Sequence, residues 1–268
     1  MAKCALIQLV SSTNIVENLQ IIEDLLYKAK DEQAKLVVLP ENFAFMGRVE
    51  TDKLSIAEHD GQGPIQEKIS QLAKDLGLWI VAGTLPIKTQ GTKVRASCMV
   101  YDDKGSRVAR YDKIHLFDVI VSEEEAHKES ATIEHGTKLQ VFDSPIGRIG
   151  LSICYDLRFS ELYYKLLDKG AQIFTVPSAF TAVTGLAHWE VLLRARAIEN
   201  LSYVLAPNQG GHHENGRRTF GHSMIIDPWG KVLAEKDSGA GIITTEIDLG
   251  FLQQLRHRFP SVKHHKLV

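Results

Sequence analysis

Long apolar runs are missing from this sequence of 268 residues: stretches such as Leu36 to Leu39 and Trp79 to Ala82 fall far short of the roughly 18 consecutive apolar residues that a membrane span requires. No transmembrane helix is expected. A dominant charge is missing too, since 31 lysines and arginines face 33 aspartates and glutamates and leave a formal net charge of −2. Such a chain has no general field with which to gather nucleic acid or anionic lipid, so neither is expected as a partner. With 20 glycines and 8 prolines the composition is not that of a collagenous or low-complexity chain. Cysteine is scarce: Cys4, Cys98 and Cys154 cannot build an even disulfide framework, and no two of them stand as a CxxC pair. The run Ala5 to Val10 is broken by Ser11, Ser12 and Thr13, which leaves neither the apolar stretch nor the cleavage site of a secretory leader. A cytoplasmic location is therefore expected.

What is present is an alternation of strand-like and helical patterns without a linker, so one domain over residues 1–268 is expected. Cys4 to Val10 reads as a strand. Asn14 followed by Glu17 has the spacing of a capping box, opening a helix that would bury Val16, Leu19, Ile22, Leu25, Leu26 and Ala29. Leu36 to Leu39 reads as a buried strand stopped by Pro40. A helix over Ile65 to Asp75, closed by Gly77, leads into a third strand that ends at Pro86. Two runs, Ala96 to Tyr101 and Val108 to Ile114, flank a hairpin loop, so the sheet should be mixed. The alternation returns with strands at Ile149 to Cys154 and Ile173 to Pro177 and helices at Phe159 to Asp168 and His188 to Asn200. Four further strands end the chain: Tyr203 to Pro207, Ser223 to Ile226, Lys231 to Ala234 and Ile242 to Ile247. The fold class is α/β. Phe117 to Gly136 fits neither period, and loops of such length inside compact chains are functional or disordered.

Chemistry-bearing residues stand at strand ends, where catalytic groups gather in α/β sheets. Cys154 closes an apolar run just before a helix, a setting in which backbone N–H groups lower a thiol pKa. Glu41 follows Leu39-Pro40, and Lys113 lies in Tyr111-Asp112-Lys113-Ile114-His115. Taken singly, each has a bland reading: a core thiol, a loop carboxylate, a strand-edge charge.

Together the three segments Leu39-Pro40-Glu41-Asn42, Tyr111 to Asp118 and Gly150 to Phe159 resemble, in order and spacing, the Glu, Lys and Cys motifs of the nitrilase superfamily of carbon-nitrogen hydrolases. Pro177 to Thr181, Thr184-Gly185, His188 to Glu199, Gly221 to Met224 and Asp227 to Gly230 resemble the branch that includes the deaminated glutathione amidases. The ω-amidase branch shares many of these segments. The resemblance implies a four-layer α-β-β-α sandwich with two mixed sheets, assembled as a homodimer, with no metal and no organic cofactor. It implies an amidase in which Cys154 attacks the amide carbonyl and forms a thioester. Glu41 would serve as base and acid, a double duty expected of a carboxylate with a raised pKa. Lys113 and the Tyr155 N–H would hold the oxyanion.

Glu129 falls where the family often has a second glutamate that orients the lysine or the substrate; its bland reading is one more acid of the Glu123-Glu124-Glu125 loop. A carboxylate-bearing substrate needs a cationic anchor, and Arg158 is placed for it, with an ion pair to Glu161 as its plain alternative. Phe180 and Thr184 would line the same pocket. The substrate implied is deaminated glutathione, cleaved to 2-oxoglutarate and cysteinylglycine; the alternative is a dicarboxylic monoamide such as 2-oxoglutaramate. A non-catalytic scaffold of the same fold is the rival from another class, and an intact Glu41, Lys113 and Cys154 argue against it. Cys4 and Cys98 lie in strand patterns as inert core residues. His135, His212, His213, His257, His264 and His265 lack metal-ligand spacing and read as solvated. Arg194 and Arg196 stand beside Glu190 and Glu199 for ion pairing or a dimer contact. Arg217 and Arg218 belong either to a surface loop or to a lip that meets a larger anionic substrate, and the residues alone do not choose.

Overall fold

In the computed structural model of the protein, residues 1–121 and 126–266 are described. The first half runs β1 (Ala2–Gln8), α1 (Ile15–Asp31), β2 (Leu36–Leu39), α2 (Pro64–Leu76), β3 (Trp79–Lys88), β4 (Val94–Tyr101), β5 (Arg107–Asp112), β6 (Asp118–Ile120) and β7 (Ala126–Lys128). The second runs β8 (Val141–Ser144), β9 (Gly147–Leu151), α3 (Ser160–Asp168), β10 (Ile173–Thr175), α4 (Ala182–Asn200), β11 (Tyr203–Ala206), β12 (Ser223–Ile226), β13 (Val232–Lys236), β14 (Gly241–Ile247) and α5 (Leu249–Arg258). One six-stranded sheet has the order β14-β1-β2-β3-β4-β5 and another the order β13-β12-β11-β10-β9-β8. β1, β2 and β3 are parallel, as are β9, β10 and β11, and antiparallel strands flank both sets.

The pleat of the strands explains the layering. In β1, Cys4 and Leu6 join a core that contains the inner residues of the second sheet, whereas Ala5 and Ile7 join one built with α1 and α2. Successive side chains on a strand point to opposite faces, so each sheet is buried on both sides. α3 and α4 cover the far side of the second sheet through Leu162, Leu166, Trp189 and Leu193. The result is the four-layer α-β-β-α sandwich with mixed sheets. No helix of the described residues is long and apolar enough to cross a membrane.

Several expectations need correction. Asn14 does cap α1, accepting from the Val16 and Glu17 N–H groups, but Val16 is 78% exposed: it lies on the outer side of the first turn, away from the sheet. α4 begins at Ala182, one and a half turns before His188, because the Thr181 hydroxyl accepts from Thr184 N–H and caps it there. α5 carries only two buried side chains, Leu252 and Leu255, too short an apolar stripe to register in the sequence. β3 continues through Pro86 to Lys88. The Pro86 carbonyl accepts from Glu58 N–H, so the imide nitrogen faces that loop and costs no bond with β4. Phe117 to Gly136 holds the β6–β7 hairpin and a 3-10 turn over Glu129–Ala131; Glu123, Glu124 and Glu125 lie outside the described residues. His213 is buried, not solvated, between the Ser11 carbonyl and the Thr219 hydroxyl.

One glycine sets the position of Glu41. Gly83 has φ +20°, and a Cβ there would stand 1.8 Å from the Pro40 carbonyl oxygen, while the β3–β4 register shifts between Ala82 and Leu85. Because the clash is with backbone, no rotamer change relieves it. Gly83→Ala should therefore lower stability by about 2–4 kcal/mol and reduce turnover by displacing the Pro40–Glu41 segment. Urea unfolding together with an activity assay checks this; a variant matching the wild type in both would show that the strand end yields freely.

Candidate active site

The carboxyl ends of strands from both sheets meet at one cleft. Glu41 follows β2 and Lys113 follows β5 in the first sheet. Cys154 lies just past β9 in the second, at the start of a 3-10 turn over Cys154–Arg158. All three are buried, with 5%, 2% and 8% of their surface exposed. Lys113 Nζ donates to Glu41 Oε1 at 2.9 Å and to both carboxylate oxygens of Glu129 at 2.9 Å. Glu129 also accepts from Phe117 N–H at 2.6 Å. Thus Glu129 stands at the lysine rather than out in the loop. The second oxygen of Glu41 accepts from Ala179 N–H at 2.9 Å, and the Cys154 thiol favours the charged form of the same carboxylate.

The backbone at the sulfur is strained. Cys154 has φ +47°, a left-handed conformation that a residue with a Cβ adopts at a cost. Asp156 holds this elbow in place. It is fully buried and accepts from Ile153 N–H at 2.9 Å, Tyr111 Oη at 2.7 Å and His115 N–H at 3.0 Å, and its Oδ1 lies 2.7 Å from His115 Nδ1. Tyr111 and His115 bracket Lys113, so one carboxylate ties the lysine's segment to the sulfur's. Asp156 was given no part from the sequence; its signal there is an acid two residues after Cys154 in an otherwise apolar segment.

Two expected pKa shifts are reversed. Burial pushes the Cys154 thiol up and the Glu41 charge adds to it, and Lys113 and the Ala179 N–H only partly oppose them. The turn that follows is a short 3-10 turn, not a long helix whose N-terminus would favour a thiolate. Burial pushes the Glu41 carboxyl up as well, but the Lys113 ammonium, the Cys154 thiol and the Arg217 guanidinium outweigh it and hold Glu41 below its ordinary range. Burial works against the Lys113 ammonium, yet Glu129 and Glu41 together raise its pKa well above the usual lysine value. The resting state is therefore a thiol beside a carboxylate and an ammonium. Such a set can pass the thiol proton to Glu41 as the sulfur attacks, with a positive charge beside the oxygen that becomes anionic.

These residues open onto a cleft of about 890 Å³, open solvent at its mouth included, lined also by Glu129, Tyr155, Arg158, Phe180, Thr184 and Arg217. The eight site residues expected from the sequence, Glu41, Lys113, Glu129, Cys154, Tyr155, Arg158, Phe180 and Thr184, all lie there. Tyr155 N–H, next to the sulfur, has no acceptor outside its own turn among the described residues. Arg158 makes no ion pair with Glu161; its guanidinium lies 5.7 Å from the Tyr155 ring centre and 5.5 Å from that of Phe180, with His188 Nδ1 3.3 Å from its Nη1. Phe180 packs on Trp189, and the Thr184 hydroxyl lies 3.0 Å from that of Thr181.

A family model described as carbon-nitrogen hydrolase matches residues 3–257. The chain belongs to the carbon-nitrogen hydrolase family. A deaminated glutathione amidase from Synechocystis is 45% identical over 98% of this chain and 98% of its own. Among solved structures, Nit3 of Saccharomyces cerevisiae, a member of branch 10 of the nitrilase superfamily, superposes with a TM-score of 0.89 at 31% identity, over 99% of this chain and 97% of its own. The C. elegans NitFhit protein superposes with a TM-score of 0.93 at 37% identity; this chain covers 66% of its length. The hydrolase is thus an enzyme acting on carbon-nitrogen bonds other than peptide bonds, with small-molecule amides as its substrates.

The other two cysteines and the ion pairs of α4 stand apart from the cleft. Cys4 and Cys98 are fully buried in strands, and burial pushes the Cys4 thiol up to about 12. Arg194 pairs with Glu190 at 3.1 Å and Arg196 with Glu199 at 2.7 Å, as i,i+4 and i,i+3 neighbours on α4.

Proposed function

We propose that this hydrolase is a cysteine amidase for deaminated glutathione, releasing 2-oxoglutarate and cysteinylglycine. The observation that carries the substrate is the continuation of the cleft: Asn42, Phe45, Glu50, Lys53, His127 and Arg217 line both the cavity at Cys154 and a wider outer basin. A dipeptide leaving group has room there, whereas ammonia would need none. The name borne by the Synechocystis relative supports the same substrate.

The chemistry follows from the protonation states. Glu41 takes the Cys154 proton as the sulfur bonds to the amide carbon, and the resulting oxyanion is held by Lys113 and the Tyr155 N–H. Glu41 returns the proton to the amide nitrogen, the C–N bond breaks, and the amine departs. A water then enters, gives its proton to Glu41 and adds to the thioester; the C–S bond breaks and the sulfur recovers the proton. Glu129 keeps Lys113 in place, Arg158 takes the carboxylate of the acyl part, and Phe180 and Thr184 shape the pocket around it. We assign the enzyme to one catalytic unit and to a reducing compartment such as the cytoplasm, which suits three free cysteines. A homodimer is supported by apolar side chains exposed on α4, Leu186 at 81% among them.

The test is hydrolysis of deaminated glutathione and 2-oxoglutaramate side by side, following 2-oxoglutarate release. The expected result is a higher kcat/KM for deaminated glutathione. The reverse order would leave an amidase of the ω-amidase kind.

A further inference from the structure

Two guanidiniums line the cavity at Cys154, and they are placed differently. Arg158 lines only the inner cavity, between the rings of Tyr155 and Phe180. Arg217 lines the inner cavity and the outer basin alike. Its Nη2 donates to the Ala179 carbonyl at 2.6 Å, on the residue whose N–H donates to Glu41. Its Nε is buried and has no hydrogen-bond partner, although a guanidinium N–H is a strong donor that is normally satisfied. The loop that presents Arg217 is braced: His213 N–H donates to the Arg217 carbonyl, Asn215 Oδ1 accepts from Arg217 N–H, and Asn215 Nδ2 donates to the Gly47 carbonyl. The side chain is thus anchored through one nitrogen and has donors to spare at the junction of the two cavities.

Resting on the reading of this enzyme as an amidase for deaminated glutathione, we infer that Arg217 is the anchor for the carboxylate of the leaving dipeptide, as Arg158 is for the acyl part. The side of the cleft follows from the proton path. Glu41 delivers the proton to the departing nitrogen, so the leaving group must lie on the Glu41 side, and Arg217 is the guanidinium whose charge reaches Glu41. The basin beyond it suits an anion: among the described lining residues Arg48, Lys53, Lys128 and Arg218 join Arg217, against the single acid Glu50, which Lys53 pairs. The end-on fork of the guanidinium, Nη1 together with the second hydrogen of the Nη2 that holds the Ala179 carbonyl, matches a carboxylate geometrically. The substrate class is therefore an amide whose two ends both carry a carboxylate, one on each side of the scissile bond.

The experiment compares deaminated glutathione with the analogue in which the glycine carboxylate is a neutral carboxamide, in the wild type, Arg217→Gln and Arg217→Lys. Both substrates share the acyl part, so a partly misfolded preparation lowers both rates equally and leaves their ratio intact. The wild type is expected to favour the carboxylate by about ten- to hundredfold in kcat/KM, the range of a hydrogen bond to a charged group. In Arg217→Gln the ratio should fall to about one, and Arg217→Lys should recover part of it, since it keeps the charge and loses the fork. A ratio unchanged in Arg217→Gln, or a wild type with no preference, would overturn the subsite while leaving the amidase reading standing. A wild type that hydrolyses 2-oxoglutaramate and neither dipeptide amide would overturn the substrate reading itself, and the subsite with it.

Discussion

Cys154→Ala should lose amide hydrolysis by about 10⁴-fold or more in kcat/KM, because it removes the one thiol among the described residues that line the cleft, and with it the thioester. Glu41 and Lys113 would still bind water and polarise a carbonyl, but an amide carbon resists water without a covalent step. Rapid quenching of the wild type with substrate, followed by intact-mass measurement, should show the acyl group on the protein; the variant should show none. Folding should survive, since the substitution removes one sulfur and keeps a Cβ at the left-handed backbone position. Activity within tenfold of the wild type would remove Cys154 from the mechanism.

Lys113→Met should be the most destabilising single change at the site. It leaves Glu41 and Glu129 facing each other without the ammonium that bonds both, and breaking a buried pair in this way costs about 3–5 kcal/mol. Turnover should fall with it, since the oxyanion loses its cation. The pH dependence follows from the directions of the shifts. Glu41 is held below its ordinary range in the folded wild type, so its contribution to stability is present above the unfolded carboxylate pKa of about 4.3 and is lost as pH falls through the lower folded value. Lys113 is raised, so its contribution is present below the unfolded value of about 10.4 and is lost only as pH rises through the higher folded one. The stability gap between wild type and Lys113→Met should therefore be wide at neutral pH and narrow in acid. Urea unfolding at pH 7 and at steps downward from pH 4 measures it; a gap under 1 kcal/mol at pH 7 would mean that the carboxylates find other partners.

In Lys113→Met only Cys154 and the Arg217 guanidinium are left to oppose the burial that pushes the Glu41 carboxyl up, and the weight of the Lys113 charge accounts for the misjudged protonation states. From the sequence, a base that must also act as an acid called for a raised carboxyl pKa, and a strand-end cysteine before a helix called for a lowered thiol pKa. Both arguments treated each group alone. In the folded enzyme the Lys113 charge reaches Glu41 at 2.9 Å, and the Glu41 charge in turn opposes the thiolate. The same holds for Arg158, whose near neighbour Glu161 does not pair with it while the ring of Phe180, 22 residues along the chain, lies beside it together with that of Tyr155.

The sequence by itself determined the order of strands and helices apart from the short β6, β7 and β8 and the helix α5, the mixed α/β character and the positions of Glu41, Lys113 and Cys154 at strand ends. These follow from the two-residue and 3.6-residue periods of apolar side chains and from turn residues, which are local properties of the chain. Only the tertiary structure decided which charges meet. Lys113 and Glu41 are 72 residues apart, Ala179 and Glu41 are 138 apart, and Arg217 is 38 from the carbonyl it holds. Such pairs exist because two sheets pack face to face and bring their strand ends to one cleft. The charge state of each group, the place of Glu129 beside the lysine and the reach of Arg217 toward the outer basin depend on that packing, since electrostatic coupling in a buried site is set by distance and burial rather than by position along the chain.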